Sequence, residues 1–370
     1  MKSSQNVDFT ILGAGLAGCC LAWYLTKSGS KVVLIDKKSD EMASMLPAAM
    51  VNPAAAQRAK LGWEAEQTYA ELVSLLNELG DDGKLSHHTG IFRVAVDENL
   101  RDNFFETWES TSWPDGWCSW VTEEELVSQI PDLCPNYGGL DLHVGFWVDV
   151  QAFLASLKSE LQSSGVEIIE AEDYSYDSTS DTITITFPDR NLIQSDRLIF
   201  STGSDLRNHP LWSLLPMHGV KGQNAIFRLD RQISWRKPVV GYGYAIPLDA
   251  STICVGATYE HEFEDAEPNQ EGAQLMREKF EQLLPELAKS ASLKYQCSGV
   301  RLSTPNRLPM AGPHPTDDRL QIFSGLGSKG VQLAPYSARL MSQYLTEGEP
   351  LPPELDGERH WRKLRRQGKV

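Results

Sequence analysis

Near its amino terminus the chain carries three glycines, Gly13, Gly15 and Gly18, at the spacing Gly-x-Gly-x-x-Gly. The apolar run at residues 7–12 predicts a buried parallel strand before them, and a helical pattern follows to about Lys27. In such a turn the first glycine permits a tight bend and the second lets a pyrophosphate approach the backbone. The third lets the helix pack close to the strand. The sequence therefore predicts a dinucleotide-binding βα unit.

The next predicted strand, residues 31–36, ends in Asp36 and is followed by Lys37. A carboxylate at this position can accept hydrogen bonds from the hydroxyls of an adenosine ribose. The positive end of the helix dipole favours the phosphates. Strand, turn, helix and acid together predict nucleotide binding, but proteins that bind FAD and proteins that bind NAD share this pattern.

Composition narrows the class of protein. The 370 residues carry a formal net charge of −16, which argues against a general polyanion-binding surface. No apolar run approaches the roughly 20 residues that span a bilayer, and residues 1–6 lack the apolar core of a signal peptide. Six cysteines form no CxxC pair and have no histidine at metal-ligand spacing. We expect a cytoplasmic protein with reduced thiols, no metal site and no membrane segment.

Patterns typical of βα units occur at the beginning, middle and end of the chain, and β-rich segments fill the two gaps. This interleaving predicts an α/β protein with a discontinuous Rossmann-like cofactor domain and an inserted β-rich substrate-binding domain. We assign residues 1–80, 145–205 and 300–370 to the cofactor domain, and residues 81–144 and 206–299 to the substrate-binding domain. After the last predicted strand, a helix is expected from about residue 335 to residue 345.

Three later segments add to the glycine turn. Residues 43–50 form a Ser- and Ala-rich turn, residues 299–301 read Gly-Val-Arg, and a glycine-rich turn at residues 325–330 opens a helix. In order and spacing these segments resemble the D-amino-acid oxidase/glycine oxidase family of FAD enzymes over essentially the full chain. The resemblance implies that the cofactor domain binds FAD. It implies FAD contacts by Gly13, Gly15, Leu16, Ala17, Gly18, Asp36, Lys37, Ala43, Ser44, Ala48, Ala49, Met50, Tyr174, Gly203, Gly325, Leu326, Gly327, Ser328, Lys329, Gly330, Val331 and Gln332.

Some members of this family attach their flavin covalently through a cysteine after the Gly-x-Arg segment. Residues 302–330 contain no cysteine. The resemblance therefore implies FAD that is bound without a covalent link.

The resemblance also implies a catalytic site beside the flavin. Arg301 stands where the family places an arginine for the substrate carboxylate, and a guanidinium offers a carboxylate two parallel donors. Tyr244 matches a tyrosine that the family offers to the substrate, and a phenol can donate to a carboxylate. Tyr259 matches a residue of the same pocket. We expect oxidation of the C–N bond of a carboxylate-bearing amine by hydride transfer to flavin N5. Ser328 stands where glycine-oxidase relatives carry a second arginine.

A narrower resemblance joins residues 299–301, 308–310, 325–330 and 334–335 to the FAD-dependent C-terminal domain of bacterial bifunctional enzymes that complete methylaminomethyl-thiouridine in tRNA. That domain removes a carboxymethyl group from a secondary amine. The resemblance implies an alternative substrate, tRNA bearing carboxymethylaminomethyl-uridine. The basic end of the chain would bind the tRNA backbone through Arg359, Arg362, Lys363, Arg365, Arg366 and Lys369.

Two other classes of protein stay open at this point. One is a flavin-binding protein without enzymatic activity, and the other is a nicotinamide dehydrogenase that shares the amino-terminal motif.

Overall fold

The strand predicted before the glycine turn is β1 (Ser4–Leu12), which lies inside an eight-stranded sheet. The computed structural model describes residues 4–37, 43–55 and 58–369. The remaining strands of this first sheet are β2 (Val32–Asp36), β9 (Glu167–Glu170), β10 (Ser175–Asp177), β11 (Ile183–Thr186), β12 (Leu192–Phe200), β18 (Met310–His314) and β19 (Asp317–Ser324).

Five strands of the first sheet run parallel in the order β9-β2-β1-β12-β19. The register pairs Leu12 with Phe200, and Phe200 with Ile322, so these strands end side by side. A glycine with positive φ follows each of β1, β12 and β19, namely Gly13 (97°), Gly203 (60°) and Gly325 (77°). Glycine adopts this conformation at little cost. Three turns far apart in sequence therefore meet at one edge of the sheet.

Helices cover the first sheet and extend into the rest of the molecule. They are α1 (Leu16–Lys27), α2 (Ala65–Glu78), α3 (Glu98–Ser110), α4 (Glu123–Gln129), α5 (Val150–Ser163), α6 (Gln270–Leu283), α7 (Pro285–Ser290), α8 (Gly330–Glu347) and α9 (Glu358–Arg366). Short 3-10 helices lie at Ala43–Met45, Gly203–Asn208 and Gly327–Lys329. The α1 helix packs against α5 and α8, and apolar residues of all three helices form one core above β1.

The helix predicted over residues 335–345 begins earlier than expected, because α8 starts at Gly330 and Pro335 lies inside it. A proline inside a helix removes one backbone hydrogen bond. Here Val331, Ala334 and Ala338 are buried in the core with α1. This burial of apolar side chains compensates for the lost hydrogen bond.

A second eight-stranded sheet joins two separate parts of the chain in the order β17-β13-β16-β15-β14-β5-β7-β6. Its strands are β5 (Ile91–Val94), β6 (Cys118–Val121), β7 (Gly139–Leu142), β13 (His218–Arg228), β14 (Val239–Val240), β15 (Tyr244–Pro247), β16 (Thr252–Gly256) and β17 (Ser292–Ser303). A small third sheet contains β3 (Ala49–Val51), β4 (Ser86–His87) and β8 (Phe146–Val148).

This architecture confirms the predicted α/β fold class, with parallel strands in the first sheet and a mainly antiparallel second sheet. We keep the division into a cofactor domain and a substrate-binding domain as a proposal. The β17 strand crosses the assigned boundary at residue 300.

The basic end of the chain folds as α9, although the sequence suggested only a charged tail. The Trp361 side chain is 1% exposed. Its ring lies 6.2 Å from the ring of Trp212 and 5.4 Å from that of His314. The helix is therefore anchored to the protein by one aromatic side chain while most of its basic side chains face solvent.

None of the helices in the described part of the chain is both long enough and apolar enough to cross a membrane. Over residues 4–37, 43–55 and 58–369, no group of three or more His, Cys, Asp or Glu side chains is placed to hold a metal ion. The six cysteines are free thiols.

Replacing Gly18 by alanine is expected to destabilise the first sheet, because the added Cβ would lie 1.9 Å from the Gly13 carbonyl oxygen. Overpacking typically costs about 1–3 kcal/mol, and this contact involves backbone that cannot rotate away, so we expect the upper end or more. Urea denaturation measures the change in unfolding free energy. Gly62→Ala is the matched control, since its added Cβ would lie 3.6 Å from the nearest atom. Equal unfolding free energies for the two variants would contradict the predicted close packing.

Candidate active site

The glycine turn after β1 is closed on two sides and open on a third. A Cβ at Gly13 would lie 2.6 Å from the Ser201 carbonyl oxygen, and one at Gly18 would overlap the Gly13 carbonyl. Among the described residues, a Cβ at Gly15 would meet only the Ser44 hydroxyl oxygen, at 3.5 Å. The protein therefore fills the space beside the first and third glycines and leaves the backbone at Gly15 open. A pyrophosphate fits such a cradle.

Asp36 is tied to this turn, because its Oδ1 accepts a hydrogen bond from the Ala14 backbone N–H at 2.8 Å. Its Oδ2 lies 3.3 Å from the Lys158 ammonium on α5. Lys158 was not identified from the sequence, since it lies 122 positions away. The predicted neighbour Lys37 instead extends to Glu172, at 3.9 Å. The contact of Asp36 with a ribose stays a prediction.

The carboxyl-terminal glycine turn lies against the first one. A Cβ at Gly330 would lie 3.8 Å from Leu16 Cδ1, so α1 and α8 begin next to each other. The first N–H groups of a helix lack partners within it, and the helix dipole adds positive character. Two helix amino termini thus point donors towards the same region. Burial lowers the pKa of Lys329, and the charge of Arg307 lowers it further.

The side chains of several predicted cofactor residues contact other parts of the protein. Val331 is buried in the core, and the Gln332 amide donates to the Thr68 hydroxyl at 3.3 Å. The Tyr174 ring lies 6.4 Å from that of Phe187. Burial, assisted by the Asp205 carboxylate, raises the pKa of Tyr174 to about 12. Contacts of Val331 and Gln332 with a cofactor would therefore come from their backbone.

The segment at residues 43–50 connects the glycine turns to the second sheet. Its 3-10 helix, Ala43–Met45, packs against β17. Ala48 and Met50 pack with Ile226, Ile246 and Cys254 on one face of the second sheet, and Tyr244 and Trp147 border the same cluster. The β17 strand also meets the carboxyl-terminal turn through a bridge between Ser303 and Leu326. This arrangement brings the predicted flavin segments and the predicted catalytic residues together.

Arg301 lies on this face of the second sheet. Its guanidinium covers Gly222, where an added Cβ would lie 1.5 Å from Nη2. Nη2 donates to the Thr258 carbonyl oxygen at 2.9 Å, and the guanidinium carbon lies 4.8 Å from the ring centre of Tyr259. Arg301 is 9% exposed, whereas Tyr259 is 61% exposed and covers it from solvent. Glycine at position 222 is therefore required for the placement of Arg301.

Tyr244 lies on the same face, three strands from Arg301 in the sheet. The register pairs Tyr244 with Gly256, and Gly256 with Asn224. Because Gly256 lacks a side chain, the Tyr244 hydroxyl passes over it and donates to Asn224 Oδ1 at 3.0 Å. Burial raises the pKa of Tyr244, so the phenol stays neutral. Tyr244 thus already has an acceptor within the protein, which competes with the expected substrate carboxylate.

Asn224 and Thr258 were not identified from the sequence. Asn224 is 1% exposed and lies in β13, where it follows Gly222 and precedes Ile226 on the same face. The available signal was a polar residue inside a strand, which β13 also shows at Lys221 and Gln223, and it does not indicate which residue faces Asn224. Both Asn224 Nδ2 and Arg301 Nε are buried and have no hydrogen-bond partner among the described residues.

Comparison with known proteins assigns the family. The family model described as FAD dependent oxidoreductase, DAO, matches residues 8–344. Glycine oxidase of Pseudomonas aeruginosa is 27% identical over 356 residues, which cover 92% of this chain and 95% of that protein. The tRNA 5-methylaminomethyl-2-thiouridine biosynthesis bifunctional protein MnmC of Idiomarina loihiensis is 26% identical over 97% of this chain. The chain spans 58% of the length of that protein.

Solved structures show the same fold. Glycine oxidase from Geobacillus kaustophilus superposes with a TM-score of 0.80 at 21% identity, over 94% of this chain and 96% of that one. Iminodiacetate oxidase from Chelativorans sp. BNC1 gives a TM-score of 0.80 at 22% identity, over 93% and 96%. The nicotinamide alternative is set aside, because the family match is to FAD-dependent enzymes and spans both sheets. The chain belongs to the DAO family of FAD-dependent oxidoreductases.

Proposed function

We propose that this oxidoreductase acts on the C–N bond of an amine that also carries a carboxylate, with FAD bound without a covalent link. The observation that carries the proposal is the buried guanidinium of Arg301. Among the described residues, no carboxylate lies within 4 Å of it, and its Nε lacks a partner. Burying a charge that is not paired is costly.

A substrate carboxylate would supply the missing partner. Planar guanidinium and carboxylate groups can form two parallel hydrogen bonds, which are about twice as strong as neutral ones. Thr258 already holds Nη2, and the Tyr259 ring limits the motion of the guanidinium from the solvent side. Arg301 is therefore preorganised, so little side-chain entropy would be lost when a carboxylate binds.

The named activities of relatives support the same substrate class. Glycine oxidase and iminodiacetate oxidase are named for substrates that combine an amine with a carboxylate. Both proteins align with nearly the full length of this chain.

The described residues fit FAD. When bound, FAD would accept the electrons of the oxidation. The open backbone at Gly15 and the amino termini of α1 and α8 would hold its phosphates, and Asp36 would hold its ribose. Cys297 lies on β17 with Arg301, and burial raises the pKa of its thiol to about 11. A thiol in its protonated form is a poor nucleophile, which supports non-covalent FAD.

The remaining residues of this face would orient the substrate and exclude water. Ile226, Ile246 and Cys254 form an apolar surface between Tyr244 and the third sheet. Burial keeps the Tyr244 hydroxyl neutral, so it can take part in hydrogen bonds without changing charge during the reaction. The amine must be neutral for its lone pair to assist C–H cleavage.

A second candidate substrate is a modified tRNA, and the observation that favours it is α9. Lys363 and Arg366 on α9, and Lys369 just after it, are exposed and form no ion pair with the described residues, whereas Glu358 pairs with Arg362 and Arg365. A folded helix that presents unpaired cations fits a phosphate backbone. The name of the MnmC relatives supports the same candidate.

Arg301→Lys is expected to keep a positive charge but lose the two parallel donors. The apparent KM for glycine, sarcosine or another carboxylate-bearing amine should rise roughly tenfold to a hundredfold, the range of a charge-assisted hydrogen bond. The rate of anaerobic flavin bleaching against amine concentration measures it. Arg277→Lys is the control, because Arg277 donates to the backbone carbonyls of Ala288 and Ala291 and packs on the Phe227 ring. If no carboxylate-bearing amine bleaches the flavin of the unmodified protein, the proposed function is wrong.

Asp36→Ala is expected to weaken FAD binding by tenfold or more. The change leaves the buried Ala14 N–H without its acceptor, a loss of about 1–3 kcal/mol, and removes the proposed ribose acceptor. Quenching of flavin fluorescence on addition of apoprotein gives the dissociation constant. Asp8→Ala is the control, since Asp8 accepts a backbone N–H from Lys31 on the same sheet. An unchanged FAD affinity in Asp36→Ala would rule out the assigned ribose contact.

The triple change Lys363→Gln, Arg366→Gln and Lys369→Gln tests the tRNA candidate. Loss of three phosphate contacts should reduce the slope of log affinity against log salt concentration by about two to three. Filter binding with unmodified and carboxymethylaminomethyl-modified tRNA measures the affinity. The control replaces Lys31, Lys84 and Lys289, which are also exposed, by glutamine. Equal losses in both triple variants would indicate general attraction by charge and contradict a binding site on α9.

A further inference from the structure

The hydrogen bond between Tyr244 and Asn224 determines which part of a substrate Tyr244 can contact. The Tyr244 hydroxyl has one proton, and it donates this proton to Asn224 Oδ1 at 3.0 Å. The hydroxyl oxygen keeps its lone pairs, and a hydroxyl that donates becomes a better acceptor. Tyr244 therefore presents an acceptor to the site. A carboxylate has no hydrogen to donate to the Tyr244 oxygen, whereas an amine N–H can donate one.

The bond is held in place by its surroundings. Asn224 is 1% exposed, so its carbonyl oxygen cannot exchange the Tyr244 donor for water. Losing that donor would leave a buried acceptor unpaired, at a cost of about 1–3 kcal/mol. Gly256 lies between the two side chains, and a Cβ there would come within 2.5 Å of both Tyr244 Oη and Asn224 Oδ1. The missing side chain at position 256 thus creates the space in which the bond forms.

The neighbouring Arg301 already provides for the carboxylate. The guanidinium lies over Gly222, which precedes Asn224 by two residues on the same face of β13. The face therefore offers a cationic donor at one position and a neutral acceptor at the next. An amino acid or an N-substituted glycine carries the complementary pair, a carboxylate and an amine N–H, on the same carbon atom.

Resting on the proposed function, we propose that Asn224 is a positioning residue that makes Tyr244 the acceptor for the substrate amine, while Arg301 binds the carboxylate. The site then selects amines that keep an N–H when neutral, which are primary and secondary amines. Tertiary amines lack this hydrogen. The contact would hold the amine by its N–H and leave its lone pair free to assist C–H cleavage.

Two isomeric substrates distinguish selection for an amine N–H from selection for substrate size. N-ethylglycine is a secondary amine and N,N-dimethylglycine is a tertiary amine, and the two have the same atoms. The rate constant for anaerobic flavin bleaching divided by the apparent KM is measured for each with the FAD-loaded protein. We expect the unmodified protein to prefer N-ethylglycine by roughly tenfold, the upper end for one neutral hydrogen bond. In Tyr244→Phe and Asn224→Leu this preference should fall towards equality.

A double variant and an inert ligand complete the test. If Asn224 acts through Tyr244, Asn224→Leu should change the preference no further in a Tyr244→Phe background. Acetate has the carboxylate but no amine, so its affinity, measured from the perturbed flavin spectrum, should not weaken in either variant. Tyr244→Phe keeps the ring, so it tests the contact even if Asn224→Leu does not fold.

The outcomes separate this inference from the proposed function. If both amines bleach the flavin but the preference is unchanged in Tyr244→Phe, Tyr244 does not bind the amine. Weaker acetate binding in Tyr244→Phe would show that Tyr244 binds the carboxylate instead. If neither amine bleaches the flavin and acetate leaves its spectrum unchanged, the proposed function and this inference both fail.

Discussion

The close approach of α1 to β1 determines where the rest of the site can lie. No side-chain atom fits between Gly18 and the Gly13 carbonyl, or between Gly13 and the Ser201 carbonyl. The first turn is therefore pressed against the end of β12, and the amino terminus of α8 lies beside that of α1. Backbone donors from two helices point to one region as a consequence. This packing fits a cofactor with two phosphates, and the chain belongs to a family of FAD-dependent enzymes.

In the second sheet, two glycines make room for the residues that form the other half of the site. Gly222 makes room for the guanidinium of Arg301, and Gly256 makes room for the bond between Tyr244 and Asn224. A charged donor and a neutral acceptor are thereby placed on one face, next to the apolar cluster that includes Ala48 and Met50. The glycines of the first sheet shape the proposed cofactor site, and those of the second shape the proposed substrate site.

The sequence predicted the parts of this arrangement that are local. The strand, turn and helix at residues 7–27 have a periodicity of apolar residues and a glycine spacing that few folds share. Asp36 follows at the end of the next strand. Contacts between distant strands could not be derived in this way. Asn224 meets Tyr244 through the register of β13, β16 and β15, and Lys158 reaches Asp36 from α5. The α9 helix was missed because its anchor is a single tryptophan, and Trp212, which receives it, lies in a distant part of the chain.

The central claim is that Arg301 binds the carboxylate of a small amine beside the flavin. A crystal structure of the FAD-loaded protein grown with acetate would test it most directly. We predict that the acetate oxygens lie about 2.7–3.2 Å from Arg301 Nε and Nη2, while the second hydrogen of Nη2 stays on the Thr258 carbonyl. A holoprotein in which acetate binds elsewhere and Arg301 Nε pairs with a carboxylate of the protein would contradict the account.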